Sequence, residues 1–420
     1  MQDPFWQNWD AGGQILSAVP AALPDPDKIA PREWLYGTAL VRRFVSVLVA
    51  PGGVGKSALV LGQALALATG KNFLAEKIHH SVPAWVLNLE DPLEETERRL
   101  AALMIRHQIP RADVAGRIFL HSGRQRRVRM AVIGTDGFTI AYPDRAAIVE
   151  TVKAQGIGLI VVDPFVKSHT LDENSNAHMD AAATAWAEVA EATGAAIQLV
   201  HHMRKGNADD SLASVESARG AKSLTDAARV ARLLSPMSLT EAEQLGVKPA
   251  ERWRHVRLDD AKANLAPRAE KALWFKLDTV NLNNATELYP HGDNVAAITP
   301  WHPASVWSRL SPADCNFALD RIAAGPAGGP AGGPAGVPGG GGMFAPQRRG
   351  MGAHRWAGHV LVTLFSLTET QAGEIIAKWL RTGLLVETEF RDADQRKTRI
   401  GVRVNDSLRP TITPHPGPLP

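Results

Sequence analysis

Four short apolar runs recur along the first half of the chain, at residues 44–49, 84–89, 158–163 and 195–200. In the third, Leu159 to Val162 is unbroken, as a strand covered on both faces should be. Between the runs the spacing of apolar positions turns helical, over 58–65, 93–103 and an alanine-rich stretch at 180–191 that stops near Gly194. From about residue 40 to 300 strand-like and helical patterns alternate. That rhythm predicts an α/β domain over 32–303 with a mainly parallel sheet flanked by helices.

The flanks read differently. Residues 1–31, rich in Pro, Asp and Ala, look like an irregular arm. Residues 324–342 repeat Gly and Pro without a glycine at every third place, so a collagen helix is rejected. The segment offers too little side chain to offset its ordering entropy and is expected to be disordered. Beyond it, helical patterns over 353–367 and 369–382 are followed by two strand patterns, 384–390 and 397–404, around a polar turn at 391–395. Helix, helix, hairpin is winged-helix order and predicts a small α+β domain over 343–409. Residues 304–323 are the candidate first helix of that domain, which would place the Gly/Pro segment inside it. Residues 410–420 read as a tail.

The first strand pattern runs directly into Ala50-Pro51-Gly52-Gly53-Val54-Gly55-Lys56-Ser57, and a helical pattern begins at Ala58. This is a phosphate-binding loop. Gly52, Gly53 and Gly55 let the chain curl so that its N–H groups, with those around Val54 and Ala58, face phosphate oxygens. The following helix N-terminus adds its positive dipole end. Lys56 would reach the β- and γ-phosphates, and the Ser57 hydroxyl would ligate Mg²⁺. Ala50 stands where such loops usually begin with glycine, a mild departure outside the narrow part of the turn.

A nucleotide held there needs a second anchor for its metal, and Asp163, ending an apolar strand, fits. Hydrolysis needs a base. Glu90, just past another strand, is the candidate, with helix capping by Glu90 and Asp91 as the alternative; both hold if Asp91 is the cap and Glu90 the base. His201 and His202 end a fourth strand as candidate γ-phosphate sensors. Neighbouring strand residues face opposite ways and no carboxylate or cysteine lies at ligand spacing, so zinc is not expected. Two long polar loops follow, over 167–179 and 203–217. Arg204 and Lys205 in the second are candidates to grip a phosphodiester backbone, a solvated loop being the alternative. Arg219 is a candidate to stabilise transition-state charge across a subunit boundary, and Lys262 is another, with a surface salt bridge as its alternative. The basic strip 123–129 reads equally as a solvated, subunit-facing or DNA-facing surface. Residues 343–409 hold eleven Lys/Arg against seven Asp/Glu, and Arg396, Lys397 and Arg399 would give the wing phosphate contacts.

Composition narrows these readings only slightly. With 420 residues, 45% hydrophobic and 21% charged, the chain can bury a full core. A net charge of +3 leaves any nucleic-acid affinity to local patches. Cys315 is the single cysteine, so neither an internal disulfide nor a cysteine-rich zinc site is available, which fits a reducing cytoplasm; a small buried apolar role suits it. No leader-like start and no apolar stretch of about eighteen residues is present, so neither secretion nor membrane spanning is expected.

Taken in order, the phosphate loop, Glu90-Asp91-Pro92, Val161-Val162-Asp163-Pro164-Phe165, Glu173-Asn174-Ser175-Asn176, His201-His202-Met203-Arg204-Lys205 and Ala218-Arg219-Gly220-Ala221 resemble the RecA-like AAA-family ATPases of plasmids and phages, the RepA-type hexameric helicases among them. The resemblance spans about 32–300. It implies a RecA-like P-loop core binding ATP and Mg²⁺, Glu90 as base, His201 and His202 coupling γ-phosphate state to a DNA loop, and Arg219 as a finger acting on a neighbouring subunit. It further implies a six-membered ring around single-stranded DNA. The winged-helix-like region, which would add duplex contact, lies outside that resemblance. An ATP-gated DNA-binding regulator and a filament-forming recombinase are the alternative expectations.

Overall fold

In a computed structural model of the chain, residues 1–33 form one compact unit and 34–420 a second. The structure describes residues 18, 20–21, 24–134, 136–137, 139–203, 221–303, 310–326, 343–348, 350–392 and 397–411. The described part of the first unit is exposed and holds one 3-10 turn, Pro26–Lys28.

The second unit opens with a short pair, β1 (Trp34–Tyr36) and β2 (Leu40–Val41), then β3 (Val45–Pro51), α1 (Lys56–Thr69), β4 (Ala84–Asn88), α2 (Leu93–Arg106) and β5 (Ile118–Ser122). A small hairpin, β6 (Val132–Ile133) and β7 (Ile140–Ala141), precedes α3 (Arg145–Gln155), β8 (Leu159–Asp163), α4 (Asn176–Thr193), β9 (Ala196–Met203), α5 (Ala221–Ala227) and β10 (Val230–Pro236). After α6 (Leu239–Leu245) come three long strands, β11 (His255–Ala263), β12 (Leu273–Asn281) and β13 (Asn294–Pro300). A nine-stranded sheet results, ordered β13-β12-β11-β10-β3-β9-β8-β4-β5. The six strands from β10 to β5 are mutually parallel, and β11, β12 and β13 extend the sheet antiparallel.

Period-two alternation along the parallel strands feeds two cores. Leu48 and Ala50 of β3 pack with α1 and α2 on one face, whereas Val45, Val47 and Val49 pack with α3, α4 and α5 on the other. Helix α1 is apolar nearly all round and buried from Ala58 to Ala68, which requires cover on its outer side as well. The antiparallel extension and α2 supply it: Ile298 of β13 lies 3.3 Å from where a Cβ on Gly62 would stand. The extension has no continuous apolar run to betray it, because Arg257, Asp259, Lys276 and Asp278 interrupt its apolar positions. Buried at its base, Arg232 of β10 grips both carboxylate oxygens of Glu76 and donates to Asp260 Oδ1 at 3.0 Å.

The C-terminal part comprises α7 (Pro312–Ala323), α8 (Gly358–Phe365), α9 (Glu369–Arg381) and the hairpin β14 (Leu385–Asp392) with β15 (Lys397–Val404). Cys315, Ala318, Leu319 and Ile322 of α7 share one core with Trp356, Ile375, Trp379 and Val402, so α7 packs with the later helices and the hairpin. The helical pattern at 353–367 is realised only from Gly358. Before it the chain makes a 3-10 turn, and Ala345 takes the backbone partners that a longer helix would need: its N–H donates to Arg355 O at 2.7 Å and its carbonyl accepts from Ala357 at 3.0 Å. Likewise the polar stretch 167–179 is shorter than its composition suggests. A 3-10 turn at Phe165–Ser168 opens it, and α4 begins at Asn176 with Ser175 as its cap. The Gly/Pro segment falls largely outside the described residues, as do most of the arm and nearly all of the tail. Among the described residues no helix is long and apolar enough to cross a membrane.

Candidate nucleotide site

Strand β3 delivers the phosphate loop to the C-terminal edge of the parallel strands, the edge where open α/β sheets bind ligands. Gly53 (φ 80°) and Gly55 (φ 86°) take left-handed backbone that only glycine adopts freely, and Gly55 is the N-cap of α1. A side chain there would also collide: a Cβ on Gly55 would stand 2.8 Å from Leu277 Cδ2 of β12. The antiparallel extension thus roofs the loop. Gly52 and Gly53 remain exposed while Val54 and Ala58 anchor into the core.

Register brings the other groups to the same edge. His202 pairs beside Ala50, and Asn88 beside Asp163. Ser57 Oγ donates to Asp163 Oδ2 at 2.6 Å, so the two oxygens expected to ligate Mg²⁺ already meet. This hydroxyl–carboxylate pair, next to a buried lysine at a helix N-terminus, fits a Mg²⁺-bound triphosphate. Burial pushes the Asp163 carboxyl up, with the Ser57 bond and the Lys56 charge opposing. Burial pulls the Lys56 amine down, with Asp163 and then Glu90 opposing. His202 is lowered first by burial, then by Lys56, while Glu90, Asp163 and Glu173 pull the other way. Lys56, Asp163, Glu90 and His202 therefore form one electrostatic cluster.

The two histidines part company. On β9 the side chains alternate, so His202 shares the phosphate-loop face with Val200, while His201 turns to the opposite core with Leu199. There His201 lies against His169, is pushed down to about 4 by burial, and leaves Nδ1 without a partner. Glu90 is exposed just beyond β4. Asp91 does not cap α2: Pro92 is the N-cap, and the Asp91 carboxylate accepts from Arg99 at 2.7 Å and Asn88 at 3.3 Å. Once bound into that pair, it has no lone pair aimed at the first helical N–H groups. Asn88, Arg99 and Arg124 went unnoticed in the sequence because their roles are hydrogen bonds between elements, which spacing does not encode.

Lys262 lies on β11 opposite Ala231, two strands from β3 and beside its middle, not its phosphate-loop end. Its amine donates to the carbonyls of Thr225 (3.0 Å) and Asp226 (2.8 Å) at the end of α5, so within its own chain it is not brought to the loop. In the basic strip, Arg126 pairs with Asp144 at 2.7 Å and Arg124 Nε donates to the Glu90 carbonyl at 2.7 Å, leaving Arg127 exposed. Lys397 is exposed and Arg399 half-buried on β15. Arg204, Lys205, Arg219 and Arg396 lie outside the described residues.

Fold and site together define a RecA-like P-loop ATPase. Residues 15–208 match the family model described as an AAA domain, which establishes a RecA-like AAA ATPase domain in this chain. Among solved structures, the ATPase domain of a helicase is similar over 60% of this chain and 85% of its own, at 11% identity and a TM-score of 0.39. The RadB recombinase is similar over 57% and 89%, at 10% identity and a TM-score of 0.35.

Proposed function

We propose that the chain hydrolyses ATP with Mg²⁺ and uses the cycle to move on or unwind DNA as a ring, in the replication of a mobile element. The observation that carries the ATPase half is the Ser57–Asp163 contact beside buried Lys56, with Glu90 and His202 in the same field. When bound, Mg²⁺ would draw charge from the phosphates and fix their orientation; Ser57 and Asp163 would hold it. Lys56 neutralises the terminal phosphates and Glu90 orients and deprotonates the attacking water. His202, on the phosphate face next to the loop that follows β9, is the sensor of the two histidines. Arg219 acts from a neighbouring subunit, Arg204 and Lys205 meet single-stranded DNA, and Arg396, Lys397 and Arg399 meet duplex DNA from a winged-helix-like domain. Support for that last assignment is the order of α7, α8, α9 and the hairpin around one core.

The decisive test is Lys56→Ala. Purified variant should lose DNA-stimulated hydrolysis, and retention of the wild-type rate would refute the site. The same C-terminal arrangement also favours a second reading, an ATP-gated regulator that binds duplex DNA and hydrolyses only to switch assembly. Strand displacement on a forked duplex separates the two.

A further inference from the structure

The turn that carries Glu90 is unusually well tied for an exposed segment. Asn88, the last residue of β4 and 7% exposed, accepts two main-chain hydrogen bonds on Oδ1, from Glu90 N at 3.1 Å and Asp91 N at 2.9 Å. Its amide nitrogen donates to Thr96 Oγ1 at 3.0 Å and to Asp91 Oδ2 at 3.3 Å, so both ends of the side chain are committed. From the other side, Arg124 Nε donates to the Glu90 carbonyl and Ser122 Oγ to the Asp91 carbonyl, each at 2.7 Å. Leu89 N–H donates to the Asp163 carbonyl at 2.8 Å, and Asn88 itself is in register with Asp163. The Glu90 carboxylate, by contrast, stays exposed.

An exposed turn can satisfy its backbone with water. Here a buried side chain does so instead, and it ties the turn to the residue in register with the metal-binding carboxylate. The geometry points to Asn88 as a positioning residue that sets where the Glu90 carboxylate stands relative to Asp163, with Thr96 fixing the Asn88 rotamer and Arg124 closing the turn from β5. The inference rests on Glu90 being the base, and deepens that assignment. Asn88 touches neither phosphate nor water in this role; it acts through the backbone of residues 89–91.

The loss should therefore fall on turnover and not on binding, since a displaced base leaves the phosphate loop intact. Steady-state hydrolysis by the full chain with ATP and Mg²⁺ is measured for Asn88→Ala, Thr96→Val and Glu90→Gln. Expected are a kcat about tenfold or more lower for Asn88→Ala, a smaller loss for Thr96→Val, and a KM for ATP within about twofold of wild type for both. If Glu90→Gln keeps its turnover, the base assignment itself falls. If Glu90→Gln is inactive but Asn88→Ala and Thr96→Val keep kcat within about twofold, or lose only in KM, the positioning role falls and the base assignment stands. Should Asn88→Ala fail to fold, Thr96→Val, nearly isosteric and remote from the phosphates, decides by the same criterion.

Discussion

Gly55→Ala is the sharpest probe of the contact between the phosphate loop and its roof. Two separate penalties meet at this residue. Its φ of 86° lies in the left-handed region, where a Cβ costs about 1–2 kcal/mol. The same Cβ would stand 2.8 Å from Leu277 Cδ2 and 3.0 Å from Cδ1, and displacing a packed leucine adds about 1–3 kcal/mol. The single substitution should therefore destabilise the ATPase domain by roughly 2–5 kcal/mol. Leu277→Ala alone opens a cavity in the core around α1 and should cost about 2–5 kcal/mol. In the double variant the clash is gone but the backbone strain stays, so Gly55→Ala on the Leu277→Ala background should cost only about 1–2 kcal/mol. Urea denaturation followed by tryptophan fluorescence, with Trp186 fully buried in the same domain, measures each corner of the cycle. Additive costs would refute the claim that Leu277 rests on Gly55, and a negligible single-variant cost would refute both parts.

Two further substitutions test the charges. Burial raises the folded Asp163 carboxyl above its ordinary 3.8, so this group's contribution to stability is complete in acid and is lost as pH rises through the raised value. Asp163→Asn should accordingly raise the melting temperature of the nucleotide-free protein near neutral pH, show little gain below 3.8, and abolish hydrolysis; a gain independent of pH would contradict the electrostatic origin. Arg232→Ala leaves Glu76 and Asp260 buried without their cation and should cost about 3–5 kcal/mol by denaturant titration with no specific effect on KM, whereas a loss under about 1 kcal/mol would mean that water replaces the guanidinium.

What local spacing could carry was legible. The glycines around Lys56 announce the loop because tight curvature near phosphate requires them in sequence. Asp163 was legible because an unbroken apolar run, Leu159 to Val162, demands a strand covered on both faces and so places its last residue at an edge. By contrast β11, β12 and β13 alternate polar with apolar positions and left no comparable mark, though they cover α1 and seat Leu277 on Gly55. Adjacent histidines looked equivalent until the pleat gave His202 to the phosphate face and His201 to the far core.

By itself, then, the amino-acid order determined the phosphate loop, the strand-end aspartate and the alternation of strand and helix, all consequences of neighbours within a few residues. Tertiary structure alone decided which strands lie side by side, that Asp91 pairs with Arg99 and caps nothing, and that Asn88 holds the turn beneath Glu90. The reason is physical: strand register and long-range hydrogen bonds join residues many positions apart, and their partners are chosen by packing of the whole sheet, which no local periodicity records.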